Sequence, residues 1–263
     1  MNIIFIALAI ISAIILPGCQ NQQAEASNVE SPATSPPSGG AKTPVLVELF
    51  TSEGCSSCPP ADKLLTTLDR DQPVDGAEVI TLGFHVDYWD SGSWRDRFSS
   101  AEYSRRQAEY GRHFGSGSYT PEAVIDGTVE AVGNNRTTVR DAITSRTAVR
   151  KAAITATIVG DKMRIDVSDI PASKVSTVYM FAAESGLVSN VSGGENSGSQ
   201  LSHVSVVREM RSIGTIDAGQ STAKFEAAMP SNAGWKAANL RYVILVQEDS
   251  TLRVVGVKRI SRP

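Results

Sequence analysis

Residues 50–59 read Phe50-Thr51-Ser52-Glu53-Gly54-Cys55-Ser56-Ser57-Cys58-Pro59. The apolar run at residues 45–50 that leads into this segment is typical of a buried strand, and leucines recur at helical spacing within residues 57–70. The sequence therefore places Cys55 and Cys58 where a strand is followed by a helix.

A Cys-x-x-Cys pair has three common interpretations: a redox dithiol, half of a zinc site, or a structural disulfide. Zinc in a tetrahedral site needs about four ligands, and this chain has no second cysteine pair. Its three histidines are scattered along the sequence, at His85, His113 and His203. We therefore expect no metal, and the redox and structural interpretations stay open at this point.

The helix that follows the pair gives its two thiols different expected roles. At the start of a helix, unpaired backbone N–H groups and the positive end of the helix dipole stabilise a thiolate. We expect Cys55 near the N-cap, exposed and more acidic, as the attacking thiol. Cys58, one turn further along, is expected to be more buried and to resolve a mixed disulfide at Cys55.

The pattern of apolar residues predicts two folded regions with different architectures. Residues 44–150 follow the order strand, helix, strand, helix, strand, strand, helix, which defines an α/β layer. Residues 151–263 lose the helical periodicity and contain about seven short alternating segments separated by turn signals. We expect an α/β domain followed by a small all-β, sandwich-like domain.

The first residues are typical of a lipoprotein signal segment, residues 1–19. Its apolar run ends in Leu16-Pro17-Gly18-Cys19, which resembles a bacterial lipobox. Acylation of Cys19 would leave the other two cysteines as one self-contained pair. An uncleaved anchor and ordinary secretion are the alternatives. Residues 20–43 contain almost no large apolar side chain and are expected to form a disordered tether.

These features predict a protein of the bacterial cell envelope that faces the periplasm and contacts the membrane only through its lipid anchor. The composition, with 41% hydrophobic and 20% charged residues, is ordinary for a globular protein. A formal net charge of -3 and the lack of a Lys/Arg cluster argue against nucleic-acid binding. The expected partners are proteins or small molecules that carry thiols or disulfides.

Residues 50–59, taken together with Tyr119-Thr120-Pro121-Glu122-Ala123-Val124-Ile125-Asp126-Gly127, resemble a thioredoxin-fold protein. The resemblance covers most of the α/β region. It implies that Pro121 is a cis-proline beside the dithiol and that the Thr120 backbone pairs with a substrate. Tyr119 is placed among the substrate-binding residues for the same reason. No cofactor is implied, because the protein's own disulfide carries the electrons.

Further segments are similar to a bacterial family of secreted thioredoxin-like proteins of unknown function. They are residues 47–55, 84–90, 194–196 and 206–208. Members of that family couple a redox-like domain to a β-rich C-terminal domain. This resemblance covers nearly the whole chain beyond the leader, and it implies a fold without an established reaction.

Two acidic residues and a histidine are candidate proton carriers near the dithiol. Thioredoxins carry a buried acid six residues before the first cysteine, where this chain has Leu49. The neighbouring Glu48 is a candidate proton shuttle if a bulge turns it toward the pair, and otherwise a charge paired within the sheet. His85 and Asp87 alternate onto one side of a strand end, so an aspartate-oriented imidazole could act as a base. The alternative is a histidine that is hydrogen-bonded at a strand end.

The long loop after the second strand is rich in aromatic residues. Trp89 and Trp94 are expected to wall a substrate groove, and packing of the loop itself is the alternative. Four polar residues of the second region are interpreted as structural hydrogen-bonding groups that pin a loop or line an interdomain cleft: Glu195, Asn196, His203 and Arg208.

The sequence as a whole favours an envelope-anchored thiol–disulfide oxidoreductase. Cys55 would attack, Cys58 would resolve, and Thr120 with Pro121 would position the substrate. The alternative is a non-catalytic binding or assembly module in which a structural Cys55–Cys58 disulfide staples a loop and the β-rich region recognises the partner. An exposed, acidic Cys55 would favour the first hypothesis, and a buried, unreactive disulfide would favour the second.

Overall fold

The computed structural model describes residue 1 and residues 42–261 of the 263-residue chain. The predictions for Cys19, for the signal segment and for all but the end of the tether therefore lie outside the described residues. Within residues 42–261, no helix has both the length and the apolar character needed to cross a membrane.

The first half of the described chain has the predicted order of elements, which is confirmed. These are β1 (Thr43–Thr51), α1 (Pro59–Asp71), β2 (Ala77–His85), α2 (Ala101–Phe114), β3 (Glu122–Ile125), β4 (Val129–Val132) and α3 (Arg136–Arg146).

The second half consists of strands and one short 3-10 helix. These are β5 (Ala153–Val159), β6 (Lys162–Ser168), β7 (Ser176–Glu184), β8 (Leu187–Asn190), β9 (Gln200–His203), β10 (Val206–Ile216), β11 (Ala223–Ala228), the 3-10 helix (Ala237–Asn239), β12 (Leu240–Glu248) and β13 (Val254–Ser261). The four-residue strand β8 was not expected, and β9 and β10 replace one expected strand.

Local sequence explains where α1 begins and ends. Pro59 and Pro60 lie at its first positions, where a missing N–H is tolerated because no intrahelical acceptor is available. The helix ends at Gln72, which adopts a left-handed conformation with φ of 47° and donates its side-chain amide to the Leu68 carbonyl. Both ends of α1 are thereby fixed, and the turn that carries the cysteines is fixed with them.

One eight-stranded sheet joins both halves of the chain, in the order β13-β12-β7-β10-β2-β1-β3-β4. β1 and β2 are parallel, and β10 joins β2 in parallel where Val206 lies opposite Gly83. The expectation of a separate all-β sandwich after residue 150 is therefore wrong at the level of the sheet. Four C-terminal strands instead extend the N-terminal sheet. The sequence did not predict this, because hydrogen-bonded pairing between strands far apart in sequence has no local signal.

The sheet is covered on both faces. Val45, Val47 and Leu49 of β1 pack with α1 and α3, whereas Leu46 and Phe50 of β1 pack with the cluster that includes α2. A second, three-stranded sheet in the order β11-β6-β5 packs on β7, β12 and β13 through a third apolar cluster. β8 and β9 form a separate hairpin. The layers leave the C-terminal ends of β1 and β2 at one edge, where the cysteines follow.

Candidate functional site

The cysteines form a disulfide in the turn between β1 and α1. Cys55 and Cys58 have Cα atoms 5.4 Å apart and are both 0% exposed. The turn is closed by the Cys58 N–H, which donates to the Cys55 carbonyl at 3.2 Å. The hydroxyl of Ser57 donates to the Cys55 sulfur at 3.3 Å. The pair is thus a short, internally bonded loop with no exposed sulfur.

Two expectations for Cys55 are corrected. The N-cap of α1 is Cys58 rather than Cys55, because the helix begins only at Pro59. Cys55 lies one turn earlier, outside the helix. It is also buried, since residues from the second half of the chain cover it, and this long-range cover was absent from the sequence argument.

The predicted cis peptide bond between Thr120 and Pro121 is confirmed. Trp89 connects this segment to the cysteine turn: its indole N–H donates to the Thr120 hydroxyl at 2.7 Å. On its other side Trp89 lies against Gly54, where an added Cβ would come within 3.1 Å of the Trp89 carbonyl oxygen. Trp89 therefore contacts Thr120 through its indole ring and the residue before Cys55 through its backbone and Cβ.

Pro121 also packs near the first turn of α1. A Cβ added at Gly133 would lie 3.2 Å from Pro121 and 3.3 Å from Ala61, so this glycine lets the two side chains approach. The Gly133 N–H donates to the Pro121 carbonyl at 2.9 Å. The structure thus places Pro121 near Ala61 in the first turn of α1, and its predicted contact with the dithiol stays a prediction.

The other two predicted substrate-binding residues lie at the margins of this region. The Tyr119 carbonyl accepts a hydrogen bond from Gln107 at 2.6 Å, and burial raises the pKa of Tyr119 to about 12. Trp94 is half-buried, and its Cβ lies 3.5 Å from a Cβ added at Gly194. Trp94 therefore borders the loop between β8 and β9, and its predicted role in a substrate groove stays a prediction.

This loop, residues 191–199, covers the cysteine turn. The Asn196 amide donates to the carbonyls of Glu53 and Cys55, both at 2.9 Å. The Glu195 carboxylate accepts the Ser56 N–H at 2.9 Å. The interpretation of Glu195 and Asn196 as structural hydrogen-bonding groups fits these contacts, which join the two halves of the chain.

Behind the turn lies a buried group of ionisable side chains, which we call the histidine cluster. Its members are Glu53, Asp62, His85, Asp96 and His203. His85 Nδ1 lies 2.6 Å from Asp96 Oδ2, and His203 Nε2 lies 3.1 Å from Glu53 Oε1. The two imidazole rings meet edge to face at a centroid distance of 4.8 Å. The Glu53 N–H donates to Asp96 at 2.9 Å, so the backbone two residues before Cys55 belongs to the same network.

The charges of the histidine cluster are shifted by burial and by one another. Burial opposes a charged His85, but the adjacent Asp96 carboxylate outweighs it and raises the pKa of His85. Burial also opposes the charge of Asp96, yet His85 and two backbone N–H groups lower its pKa. Burial raises the pKa of Asp62, against the charges of His203 and His85. The cluster can therefore hold protons close to the disulfide.

Asp87 is not the partner of His85. Its carboxylate accepts the Ser104 hydroxyl at 2.5 Å, at the start of α2. The carboxylate that orients His85 belongs to Asp96, which lies in the irregular loop before α2. The predicted pair was wrong because it rested on alternation beyond the end of β2, where the chain no longer follows a strand.

Glu48 is not aimed at the cysteines either. The β1–β2 register runs without a bulge, so alternation turns Glu48 to the face that carries α2. There its two carboxylate oxygens accept Arg106 at 2.6 Å and Tyr110 at 2.5 Å. The proton-shuttle hypothesis for Glu48 is therefore corrected in favour of its alternative, a paired structural charge.

Four further residues were missed by the sequence reasoning. Glu53 and Asp62 flank the cysteines, and only their closeness in sequence to the motif could have indicated them. Asp96 and Glu122 had no signal of their own. Burial raises the pKa of Glu122, the residue after Pro121, to about 7, and one of its carboxylate oxygens has no hydrogen-bond partner.

The described residues offer no cluster of side chains for a metal ion. Among residues 42–261, no group of three or more His, Cys, Asp or Glu side chains is arranged to hold a metal ion. The remaining polar residue of the second region, Arg208, pairs with the buried Glu184 at 3.2 Å and has a structural role.

Fold and site together define a mixed α/β protein whose large mixed sheet carries a Cys-x-x-Cys disulfide at one strand end. The chain belongs to the DUF1223 family, described as a protein of unknown function, which matches residues 46–247. The expectation of a family of unknown function is confirmed.

Two solved structures are similar to the chain. A crystal structure of a protein from Agrobacterium tumefaciens has 25% sequence identity and a TM-score of 0.69, covering 84% of this chain and 96% of that one. A domain of the outer membrane lipoprotein Omp28 from Porphyromonas gingivalis has 16% identity and a TM-score of 0.25, covering 43% of this chain and 88% of that domain. The second likeness is too low to carry an argument. No curated protein matches the chain.

Proposed function

We propose that this protein is a thioredoxin-like thiol–disulfide oxidoreductase of the bacterial cell envelope. The observation that carries the proposal is the setting of the Cys55–Cys58 disulfide: Glu53 and Asp62 of the histidine cluster flank it along the chain, and Trp89, which bonds Thr120, lies against Gly54. A disulfide that only holds a loop together needs neither buried ionisable groups nor a neighbouring surface such as Trp89 and Thr120.

The proposed exchange proceeds through a mixed disulfide. A substrate thiolate attacks the Cys55 sulfur, a new S–S bond forms, and the Cys55–Cys58 bond breaks with its electron pair leaving on Cys58. A second substrate thiolate then attacks the substrate sulfur and releases Cys55. The substrate loses two electrons and two protons, and the dithiol gains both. The same steps in reverse reduce a substrate disulfide, with Cys55 attacking and Cys58 resolving.

The histidine cluster would supply and accept the protons of this exchange. Asp62 lies one helical turn after Cys58, and its N–H donates to the Cys58 carbonyl at 3.1 Å. Its raised pKa and the raised pKa of His85 favour protonated forms that can donate to a leaving thiolate. These residues take the place that the sequence argument gave to Glu48 and Asp87.

Thr120 and Pro121, with Trp89, would form the surface on which a substrate rests, and Tyr119 would extend it. The proposed partners are proteins or small molecules that carry thiols or disulfides. The lipobox-like segment ending at Cys19 supports an envelope location facing the periplasm, with the membrane contacted only through the lipid.

The proposal is tested with variants in which one cysteine of the pair is replaced and adducts are located by peptide mapping, which separates the pair from Cys19. Reduced Cys58→Ser should form a stable mixed disulfide with an oxidised peptide through Cys55, because no resolving thiol remains. The matched variant Cys55→Ser should form far less adduct. Adduct formation is measured by mass spectrometry of the folded protein. Faster reaction at Cys58 would reverse the two roles, and inert thiols in both variants would contradict the proposal.

One observation favours the second candidate function, a binding or assembly module with a structural disulfide. Both cysteines are 0% exposed, and buried, unreactive disulfides are typical of structural pairs. In that case the disulfide would hold the turn against residues 191–199. The two functions differ in whether a thiol reagent reduces the disulfide without unfolding the protein.

A further inference from the structure

The loop at residues 191–199 is a closed unit on the protein surface. The Val191 N–H donates to the Ser199 carbonyl at 2.9 Å, and the Gly198 N–H donates back to the Val191 carbonyl at 2.8 Å. The two ends of the loop are therefore held together independently of its contacts with the cysteine turn. Glu195 at its tip is exposed.

The loop uses three backbone groups of the cysteine turn. Asn196 donates to the carbonyls of Glu53 and Cys55, and Glu195 accepts from the Ser56 N–H, each at 2.9 Å. Two of these groups are carbonyl acceptors and one is an N–H donor, and they lie on residues 53–56, which include the Cys55 that is expected to be attacked. With the loop in place they are satisfied and Cys55 is 0% exposed.

The two side chains present the same chemistry as a peptide backbone. The Asn196 amide is an N–H donor, and the Glu195 carboxylate is an oxygen acceptor. An extended polypeptide offers N–H and C=O groups in alternation and binds exposed backbone groups in this way. A small thiol without peptide groups offers neither, so displacing the loop would take the Asn196 donor from the Glu53 carbonyl and leave the Cys55 carbonyl with the Cys58 N–H alone.

We propose that residues 191–199 are a displaceable cap over Cys55 and that the substrate that displaces it is a polypeptide. This inference rests on the proposed function. Glu195 and Asn196 are positioning residues that select for substrates able to replace their hydrogen bonds. The cap also packs closely on the loop before α2, since a Cβ added at Gly193 would lie 2.0 Å from the Ser93 carbonyl oxygen.

The test compares two thiols on the oxidised full-length protein: mercaptoethanol and a short synthetic peptide with one cysteine. Rates of disulfide reduction are measured at equal thiolate concentration. In the wild type the peptide should react faster. Asn196→Asp replaces the donor by a carboxylate facing two carbonyls and should open the cap. It should speed reduction by mercaptoethanol about tenfold and reduction by the peptide far less.

The matched control is Asn190→Asp, the same change at an exposed residue whose side chain bonds only Gln200. It should behave as the wild type. Glu195→Gln, at an exposed position that does not threaten folding, should show a smaller acceleration in the same direction. Circular dichroism checks that each variant is folded.

Equal mercaptoethanol rates in the wild type, Asn196→Asp and Asn190→Asp would overturn the cap and leave the redox proposal intact. If the peptide reduces the wild-type disulfide no faster than mercaptoethanol does, the inference that the substrate is a polypeptide is wrong. A disulfide that resists both thiols in every folded variant would overturn the proposed function as well as this inference.

Discussion

Two buried polar networks lie on this sheet, and they differ in how fully their groups are paired. On the face that carries α2, Glu48 bonds Arg106 and Tyr110, and Gln247 bonds both of these partners. Every side-chain oxygen of Glu48, Tyr110 and Gln247 therefore has a hydrogen-bond partner. The histidine cluster is different, because one Glu53 carboxylate oxygen in it has no hydrogen-bond partner.

The difference distinguishes a fully paired structural network from the cluster to which we assign the proton transfers of the proposed exchange. The network around Arg106 holds a fixed ion pair, and the charge of Glu48 keeps the pKa of Arg106 raised despite its burial. In the histidine cluster the pKa values of His85 and Asp62 are raised, and its members Glu53 and Asp62 flank the disulfide along the chain. A buried network that is incompletely paired is costly, and the place of this network beside a dithiol supports the proposed exchange.

The largest expected effect is on the paired network. Arg106→Leu would leave the Glu48 carboxylate buried without its counter-charge, and should lower the free energy of unfolding by about 3–5 kcal/mol. Urea denaturation measures this. The double variant with Glu48→Gln should recover part of the loss. A loss below about 1 kcal/mol would show that Arg106 does not form the buried ion pair with Glu48.

A smaller effect is expected in the histidine cluster. Asp96→Asn should cost about 2 kcal/mol, because a charge-assisted hydrogen bond to His85 is lost. The folded-state pKa of His85 is raised, so its stabilisation is present below the unfolded pKa and disappears as pH rises through the folded value. The variant should therefore lose more stability at pH 6 than at pH 9. Equal losses at both pH values would contradict a charged His85–Asp96 pair.

The smallest expected effect concerns Glu122, which belongs to neither network. Its pKa is raised to about 7, so the folded state binds the proton more tightly and stability falls as pH rises between the unfolded and folded values. Glu122→Gln removes this dependence and should gain about 1 kcal/mol at pH 8 and almost nothing at pH 4. Thermal unfolding at the two pH values measures the gain. A destabilised variant at pH 8 would mean that the surroundings favour the charged Glu122 carboxylate, which would contradict the raised pKa.

The local parts of this structure could be predicted from the sequence. The strand before the cysteines and the helix after them follow from short-range patterns, and the cis bond before Pro121 was implied by the resemblance to thioredoxin-fold proteins. The pairing of Val206 with Gly83 could not be predicted, because parallel strands far apart in sequence share no local signal. That pairing merged the expected second domain into the first sheet.

The candidate site divides in the same way. Cys55, Cys58 and Pro121 were found from motifs, whereas the partner of His85 was assigned to Asp87 because it is close in sequence. Asp96 occupies that role from an irregular loop, where periodicity carries no information. The burial of Cys55 was missed for a related reason, since Asn196 reaches it from 141 positions away.

The reduction potential of the Cys55–Cys58 pair tests the central claim most directly. It is measured by equilibrating the folded protein with glutathione and dithiol buffers and counting alkylated cysteines by mass spectrometry. We predict reversible reduction at a potential above about −300 mV, within the range of proteins that exchange disulfides. A pair that stays oxidised in the folded protein below that potential would contradict the account and identify the disulfide as structural.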